Sequence, residues 1–399
     1  MRIKLNRLIG NILFPLVVLD IIVFIIGRLF FSGTVPNKEV ITYNDLETIV
    51  DDIKSNLYYD SEFSMVMVGD ALIHRSIYED AYNGSSYDFT KMMSKIKPIT
   101  SKYDVAYYNQ ETILGGTEIG LSTYPRFNSP YEVGDAFIDA GFNMVSLANN
   151  HSLDRGKTAI ENSVKYWNKH SDVLTAGSYL SELERIEDRI FVKNNISYTM
   201  LSYTTDTNGI RIPNGENYLV NVYDAEKVKE DIERVRDKVD FLIVAMHWGV
   251  EYTNTPVESQ KTIAKYLAGL GVDLIIGCHP HVIEPVEYVG NTMVAYSLGN
   301  FISSQNGPNN LTGLMLSLKV HKKLDKDGSK VTIEEPTVRL IYTHYDETKV
   351  GRRNYMVYPY EELNEEILSN YQNHYDKYIN IAAGSSNKIV KYPLNPWNI

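Results

Sequence analysis

Short apolar runs, each closed by a polar cluster, recur along this chain. Phe63 to Val68 ends at Gly69-Asp70, Val105 to Tyr108 at Asn109-Gln110-Glu111, and Phe142 to Ala148 at Asn149-Asn150-His151. Asp240 to Met246 ends at His247-Trp248-Gly249, and Val272 to Gly277 at Cys278-His279-Pro280-His281. Val294 to Ser297 ends at Leu298-Gly299-Asn300-Phe301, and Ser197 to Tyr203 gives way to a long polar loop, Asp206 to Asn221. Runs this short, bounded by Gly, Asn and Pro, predict buried strands. Between them the apolar spacing turns helical. Glu132 to Gly141 carries Val133, Phe137 and Ile138, and the stretch from Thr158 carries Ile160, Val164 and Trp167. Asp224 to Lys238 has Asp224 as its N-cap, and Ser259 to Leu270 follows the same period. Alternating strands and helices predict a layered α/β domain over residues 61–320. From Leu314 the pattern becomes a hairpin, Leu314 to His321 and Val331 to Tyr342 around Asp327-Gly328. Glu361 to Ile379 predicts a helix, so residues 321–399 read as a hairpin and helix extension with an irregular tail after Ala383.

The polar clusters all fall where strands end. In open α/β sheets, ligand-binding groups gather at the carboxyl edge, so clusters far apart in sequence can converge. Together they offer the carboxylates of Asp70 and Glu111, the amide of Asn150, and the imidazoles of His247, His279 and His281. That set suits two divalent ions sharing a bridging carboxylate, about 3.5–4 Å apart, which can clamp a phosphoryl group and activate water. Mixed oxygen and nitrogen donors fit Mn, Fe or Zn better than Ca or Mg, and there is no thiolate set. His151 is left over, with Asp154 three residues on to orient its ring. Each residue also has a plain structural alternative. Asn149 and Asn150 fit a turn that needs left-handed angles, Asp70 a helix N-cap, His247 a satisfied core histidine, and His281 a partner for Glu284. His74 either joins the shell or merely covers it. Cys278 reads as a buried, inert thiol.

Composition narrows the setting. A net charge of −11 argues against a nucleic-acid-binding surface, which needs a basic face. The acid is unevenly spread: Arg2, Lys4, Arg7 and Arg28 outweigh Asp20 in the first 31 residues, leaving −14 on the remainder. Ile9 to Phe31 is nearly all apolar and long enough to cross a bilayer. Cations precede it and no small-residue cleavage site follows. The expectation is therefore an uncleaved signal-anchor with the N-terminus inside, contacting the bilayer through residues 9–31. Asp20 at mid-membrane either meets a partner helix or is a tolerated single charge. Residues 32–60 then form a juxtamembrane linker with a short amphipathic helix over Leu46 to Leu57, and the large domain lies outside the cytoplasm. With Cys278 as the single cysteine, no intrachain disulfide is available to staple that domain.

Taken in order, the motifs Val68-Gly-Asp70, Asn109-x-Glu111, Ser146-Leu-Ala-Asn-Asn-His151-x-x-Asp154-x-Gly156, His247-Trp-Gly-x-Glu-Tyr252, Gly277-x-His-Pro-His281 and Tyr296-Ser-Leu-Gly-Asn-Phe301 resemble those of the CapA family. These are membrane-anchored proteins of poly-γ-glutamate capsule synthesis, related to calcineurin-like metallophosphoesterases, and the resemblance spans residues 63 to 304. It implies a four-layer α/β/β/α metallophosphatase-like sandwich behind one transmembrane helix. It implies that Asp70, Glu111 and His281 hold one ion and that Glu111, Asn150, His247 and His279 hold the other. His151 would then be a general acid oriented by Asp154, with Asn109, Glu251 and Tyr252 as substrate-binding candidates. The chain departs from the broader phosphoesterase pattern at two points. Leu72 stands where a histidine usually follows the first Asp, and Glu111 replaces the bridging Asp.

Three readings stay open on the sequence. The first is a cell-envelope component of poly-γ-glutamate synthesis or export, working with membrane synthase subunits. The second is a metal-dependent phosphoesterase or hydrolase acting on another envelope polymer or lipid-linked phosphate. The third is a non-catalytic scaffold of a membrane synthase. In the first two, an anionic polymer or a phosphate is the substrate.

Overall fold

A computed structural model of the 399-residue chain describes residues 59–325 and 328–396. The apolar run from Ile9 to Phe31 with Asp20, linker residues 32–58 with their expected helix, and Asp327 of the expected turn lie outside the described residues. Among the described residues no helix is long and apolar enough to cross a membrane.

The strands in chain order are β1 (Tyr59–Ala71), β2 (Val105–Asn109), β3 (Met144–Ser146), β4 (Leu174–Ala176), β5 (Phe191–Lys193), β6 (Ile196–Thr204), β7 (Phe241–His247), β8 (Leu274–Cys278), β9 (Val286–Val289), β10 (Thr292–Ala295), β11 (Asn300–Ile302), β12 (Thr312–Asp325), β13 (Gly328–Thr348), β14 (Gly351–Pro359) and β15 (Val390–Lys391). The helices are α1 (Arg75–Ala81), α2 (Lys97–Thr100), α3 (Glu132–Asp139), α4 (Gly156–Trp167), α5 (Glu182–Ile186), α6 (Ala225–Val235), α7 (Glu258–Gly269), α8 (Pro308–Leu311) and α9 (Tyr371–Ala383). They build a mixed α/β sandwich of two sheets. The first runs β14-β13-β12-β1-β2-β3-β4, with β11 beside β1 and β15 beside β13; the second runs β5-β6-β7-β8-β10-β9. β1 to β4 are mutually parallel, as are β6, β7, β8 and β10.

Strand alternation sets the layers, because successive side chains point to opposite faces. On β1, Phe63, Met65 and Met67 face Met200, Ile243 and Leu274 between the sheets. Val66 and Val68 face outward onto Ile77 of α1 and Val133 and Phe137 of α3. On β7, Ile243 and Ala245 point inward, while Leu242 and Val244 meet Val228 and Ile232 of α6 and Ala264 and Leu267 of α7. The order is helices, sheet, sheet, helices. Both faces of each parallel strand are covered, so the runs read as uniformly apolar rather than alternating.

The structure moves several expected boundaries. The strand expected over 142–148 is β3 alone, three residues long, because the chain turns toward the site immediately after it. The helix expected over 361–379 is α9, preceded by a single 3-10 turn at Tyr360–Glu362. Asp224 does cap α6, its carboxylate accepting from the Lys227 N–H at 3.0 Å. The short strands β4, β5, β9, β11 and β15 carry too few residues to show a period. Beyond residue 320 the hairpin completes the first sheet: β12 pairs antiparallel with β1 from Tyr59↔Leu324 to Met67↔Leu316. Val338 and Leu340 of β13 and Tyr378 and Ile379 of α9 close the space between the sheets.

One carboxyl is buried away from the strand-end clusters. Glu284 is fully buried; Oε2 accepts from Gln260 Nε2 of α7 at 2.6 Å, and Oε1 has no donor. Burial outweighs the Gln260 hydrogen bond and lifts its pKa to about 8. The folded chain therefore keeps this proton up to about pH 8, whereas the unfolded chain releases it above about 4.3, so stability falls as pH rises between them. Glu284→Gln cannot ionise. Thermal denaturation should show it more stable than the parent at about pH 8, on the order of 2 kcal/mol, with no such gain near pH 5.

Candidate metal centre

The parallel strands of both sheets end at one edge of the sandwich, and there the polar clusters meet. Two glycines permit the approach. A Cβ on Gly69 would lie 1.8 Å from the Gly299 carbonyl oxygen, and one on Gly277 would lie 1.9 Å from that of Tyr296. No side chain fits at either, so the strands bearing Asp70 and His279 can close on their neighbours.

Asp70, Glu111 and His281 are buried and each brings one ligand atom within 4.8 Å of the others. His281 Nε2 is 3.7 Å from Glu111 Oε1, and His281 Nδ1 is 3.5 Å from Asp70 Oδ2. On the other side of Glu111, acceptors crowd around His247 Nε2: Asn150 Oδ1 at 2.9 Å, His279 Nδ1 at 3.2 Å and Glu111 Oε1 at 3.7 Å. Donor atoms about 2.0–2.2 Å from one ion stand roughly 3–3.5 Å from each other, so these spacings suit divalent metals. The decisive atoms are Glu111 Oε1 and Oε2. Both are buried and neither has a hydrogen-bond partner. A native carboxylate is rarely left so, and a divalent cation held by Glu111 with its neighbours would supply the missing partner.

The surrounding shell fixes these groups. Asn109 Nδ2 donates to Asp70 Oδ1 at 2.7 Å, Ser146 Oγ donates to Asn109 Oδ1 at 2.7 Å, and the Tyr107 hydroxyl lies 2.7 Å from Ser146 Oγ. Asn109 is thus placed behind Asp70, holding it. Asn300 Oδ1 accepts from His281 Nδ1 at 3.0 Å, leaving Nε2 to face Glu111. His279 and His281 have φ of +103° and +59°, a backbone region costly for residues with a Cβ and concentrated at functional sites.

His151 stands beside this centre. Its Nδ1 is 2.7 Å from Asp154 Oδ2, which also accepts the Phe127 N–H at 2.6 Å. The Phe127 ring packs edge-on against the imidazole at 4.7 Å. With Nδ1–H committed to Asp154, Nε2 is the nitrogen left for exchange. Asn208 reaches both Asn150 and His151, at 3.3 and 3.4 Å. Tyr252 is 53% exposed with its ring 6.0 Å from that of His281, and Glu251 beside it is exposed. His74 covers the shell: its Nδ1 accepts the Ser304 N–H at 3.2 Å and its ring meets Phe127 edge-on. Asn208 and Ser304 are members that no sequence pattern singles out, and Asn300 sits in a quoted motif that assigned it no role.

Electrostatics follow from burial. Burial, then His279 and His281, hold His247 well below the ordinary imidazole range, and burial with His281 takes His279 down to about 4. At His281 the carboxylates of Glu111 and Asp70 outweigh burial and raise it to about 9. Burial lifts Glu111 well above the carboxylate range and is opposed chiefly by His281. His247 and His279 are therefore neutral, with lone pairs available to a cation. Cys278 is buried, and burial with the Asp70 charge keeps its thiol protonated.

Residues 64–305 match the family described as bacterial capsule synthesis protein PGA_cap. The chain belongs to that family. Its relatives include the Bacillus subtilis PGA biosynthesis protein CapA, 32% identical over 42% of this chain and 44% of that one. The Bacillus anthracis capsule biosynthesis protein CapA is 26% identical over 61% and 60%. The matches thus span about half the length of these relatives. A Staphylococcus aureus structure described as a candidate 5′-nucleotidase with α-ketoglutarate overlaps loosely, at a TM-score of 0.45 and 15% identity over 79% of this chain and 58% of that one.

The chain of hydrogen bonds behind Asp70 generates a test. Asn109→Leu removes the donor to Asp70 Oδ1 and should weaken divalent-metal binding about 10–100-fold, with secondary structure intact. Ser146→Ala should weaken it less. Calorimetric titration of Mn²⁺ or Zn²⁺ into the full chain, beside circular dichroism, reads both; unchanged affinity in Asn109→Leu would show that Asp70 needs no such support.

Proposed function

We propose that this chain is a membrane-anchored, extracytoplasmic component of poly-γ-glutamate capsule synthesis or export, carrying a metal-dependent hydrolase site of metallophosphoesterase type. Membership of the capsule synthesis family supports the process. The observation that carries the site is Glu111: both its oxygens are sealed and unpartnered, and Oε1 lies 3.7 Å from His281 and 3.7 Å from His247. Asp70, Glu111 and His281 would hold one divalent ion, and Glu111, Asn150, His247 and His279 a second, with Mn, Fe or Zn favoured by the nitrogen and oxygen donors. Bound there, such ions polarise an acyl or phosphoryl oxygen and lower the pKa of a bound water.

The chain's own residues supply the remainder. Asp154 fixes the tautomer of His151 through Nδ1 and leaves Nε2 as the nitrogen that would protonate a leaving oxygen. Phe127 packs the ring in place and, with His74, keeps water from that side. Asn208 ties the 206–216 loop to Asn150 and His151. The His151–Asp154 pair is what favours chemistry over a metal-binding scaffold, since a scaffold needs no oriented imidazole. An anionic envelope polymer or a lipid-linked phosphate is the substrate class this site suits.

Metal and chemistry separate in two variants. Protein purified without chelators should carry at least one divalent ion per chain by elemental analysis. His279→Ala should lose metal and polymer output together. His151→Ala should keep its metal while polymer output falls, by up to about 10²–10⁴-fold if the proton transfer limits it. Normal output from His151→Ala with metal intact would exclude acid catalysis by this residue and leave the binding scaffold.

The expected topology is tested on intact protoplasts, where added protease should degrade the domain. Protection there would place it in the cytoplasm instead.

A further inference from the structure

Two imidazoles of the centre, His279 and His281, stand on a turn whose backbone is left-handed at both residues. Such a turn persists only where its neighbours hold it. The neighbour here is the segment 249–257, which follows His247-Trp248 and leads into α7. The Tyr252 N–H donates to the Pro280 carbonyl at 2.8 Å, and Asn254 Nδ2 donates to the Ile283 carbonyl at 2.8 Å. Tyr252 is itself left-handed, with φ at +65°. The segment therefore lies along the turn from Pro280 to Ile283, and what fixes the segment also fixes the turn.

One buried amide fixes the segment. Gln260, the third residue of α7, accepts the N–H of the N-cap Val257 at Oε1, 2.8 Å away. A Cβ on Gly249 would lie 2.8 Å from Gln260 Cδ, so the start of the segment packs on the same amide that binds its end. With Oε1 committed to a donor, Nε2 needs an acceptor, and it finds Glu284 Oε2 at 2.6 Å. Gln260 and Glu284 are both sealed from solvent, and Glu284 stands in sequence among Val282, Ile283 and Val286, which are buried too. A helix cap alone requires Val257 and Gln260 but no acid. A carboxyl kept in that company with Oε1 unpartnered calls for another reason. Its own N–H is bound to the Ser297 carbonyl at 3.1 Å, so Glu284 is a fixed post on the far side of the turn.

We propose that Gln260 and Glu284 are positioning residues for the His279-Pro280-His281 turn. Together they clamp the 249–257 segment against it, and metal affinity depends on them although neither is a metal-binding side chain. The proposal rests on the reading of the centre as metal-binding, and deepens it by naming what holds two of its imidazoles. Without the clamp, the segment stays on the turn only through the bonds of Tyr252 and Asn254. The turn then relaxes toward unstrained angles and carries the imidazoles off their places beside Glu111 and His247.

The test separates a clamp from a piece of core. Removing one partner strands the other in the interior, whereas replacing both by apolar groups of similar shape is nearly neutral for stability. The double variant Gln260→Met with Glu284→Met should therefore melt close to the parent by circular dichroism. Its affinity for Mn²⁺ or Zn²⁺, titrated calorimetrically into the full chain in detergent at about pH 7, should fall about tenfold, the low end of what outer partners of a metal ligand contribute. At that pH Glu284 keeps its proton. Glu284→Gln keeps an acceptor for Gln260 and should bind metal as the parent does. Hydrogen exchange of the metal-free protein should show the Tyr252 amide opening faster in the double variant and unchanged in Glu284→Gln. Gly249→Ala drives a Cβ into the Gln260 amide while leaving both partners in place, and should also lower metal affinity. A merely structural pair would shift melting and leave metal affinity alone. Parent-like affinity in the double variant or in Gly249→Ala overturns the proposal, as does a Glu284→Gln that loses as much as the double variant. Failure of the reading of the centre looks different, as a parent that binds no metal. Exchange still decides the clamp in that case, since unchanged protection of the Tyr252 amide in the double variant overturns it.

Discussion

A carboxylate sealed from water with no donor on either oxygen is among the costliest groups a fold can keep. Desolvating it in ionised form costs several kcal/mol unless opposite charge or hydrogen bonds repay it, and burial lifts the Glu111 pKa well above the carboxylate range. Glu111 is held in that state at the edge where the two sheets meet, with imidazoles on both sides and Asp70 beyond. Much of the surrounding structure serves that placement. Gly69 and Gly277 let strand ends approach to distances no side chain allows, Asn109 and Ser146 hold Asp70 from behind, and Asn300 turns His281 toward Glu111.

Backbone strain tells the same story. Of the non-glycine residues with left-handed backbone, Asn208, Tyr252, His279 and His281 all stand at the site. Such conformations cost of order 1–3 kcal/mol each and persist where surrounding contacts over-determine them. The sandwich provides that rigidity: both faces of the parallel strands are packed, so their ends move little. The C-terminal strands add to it. Tyr355 of β14 hydrogen-bonds Ser304 and Ser76, and Arg352 bonds the Ser304 carbonyl, which steadies the segment that donates to His74.

Much of this was legible in the residues alone. Apolar runs ended by Asp70, Glu111, Asn150, His247 and His279 signalled parallel strands with a shared functional edge, because parallel topology makes strand ends converge whatever their separation in sequence. The ordered motifs carried the family in the same way. The helices α3, α4, α6 and α7 showed their period, being long enough to display it. What tertiary structure alone decided was everything that depends on a partner from elsewhere in the chain. Asn109 looks like a substrate contact in sequence and is a support for Asp70 in space; the motif that holds Asn300 does not show its bond to His281, and Asn208 carries no pattern because a hydrogen bond across more than fifty residues leaves none. The membership of β12 to β14 in the first sheet was hidden for the same reason, since a hairpin's sequence fixes its own pairing but not the strand it will join. The sequence by itself determined which groups reach the edge. Only the packing of the two sheets decided that Glu111 would stand there without a partner.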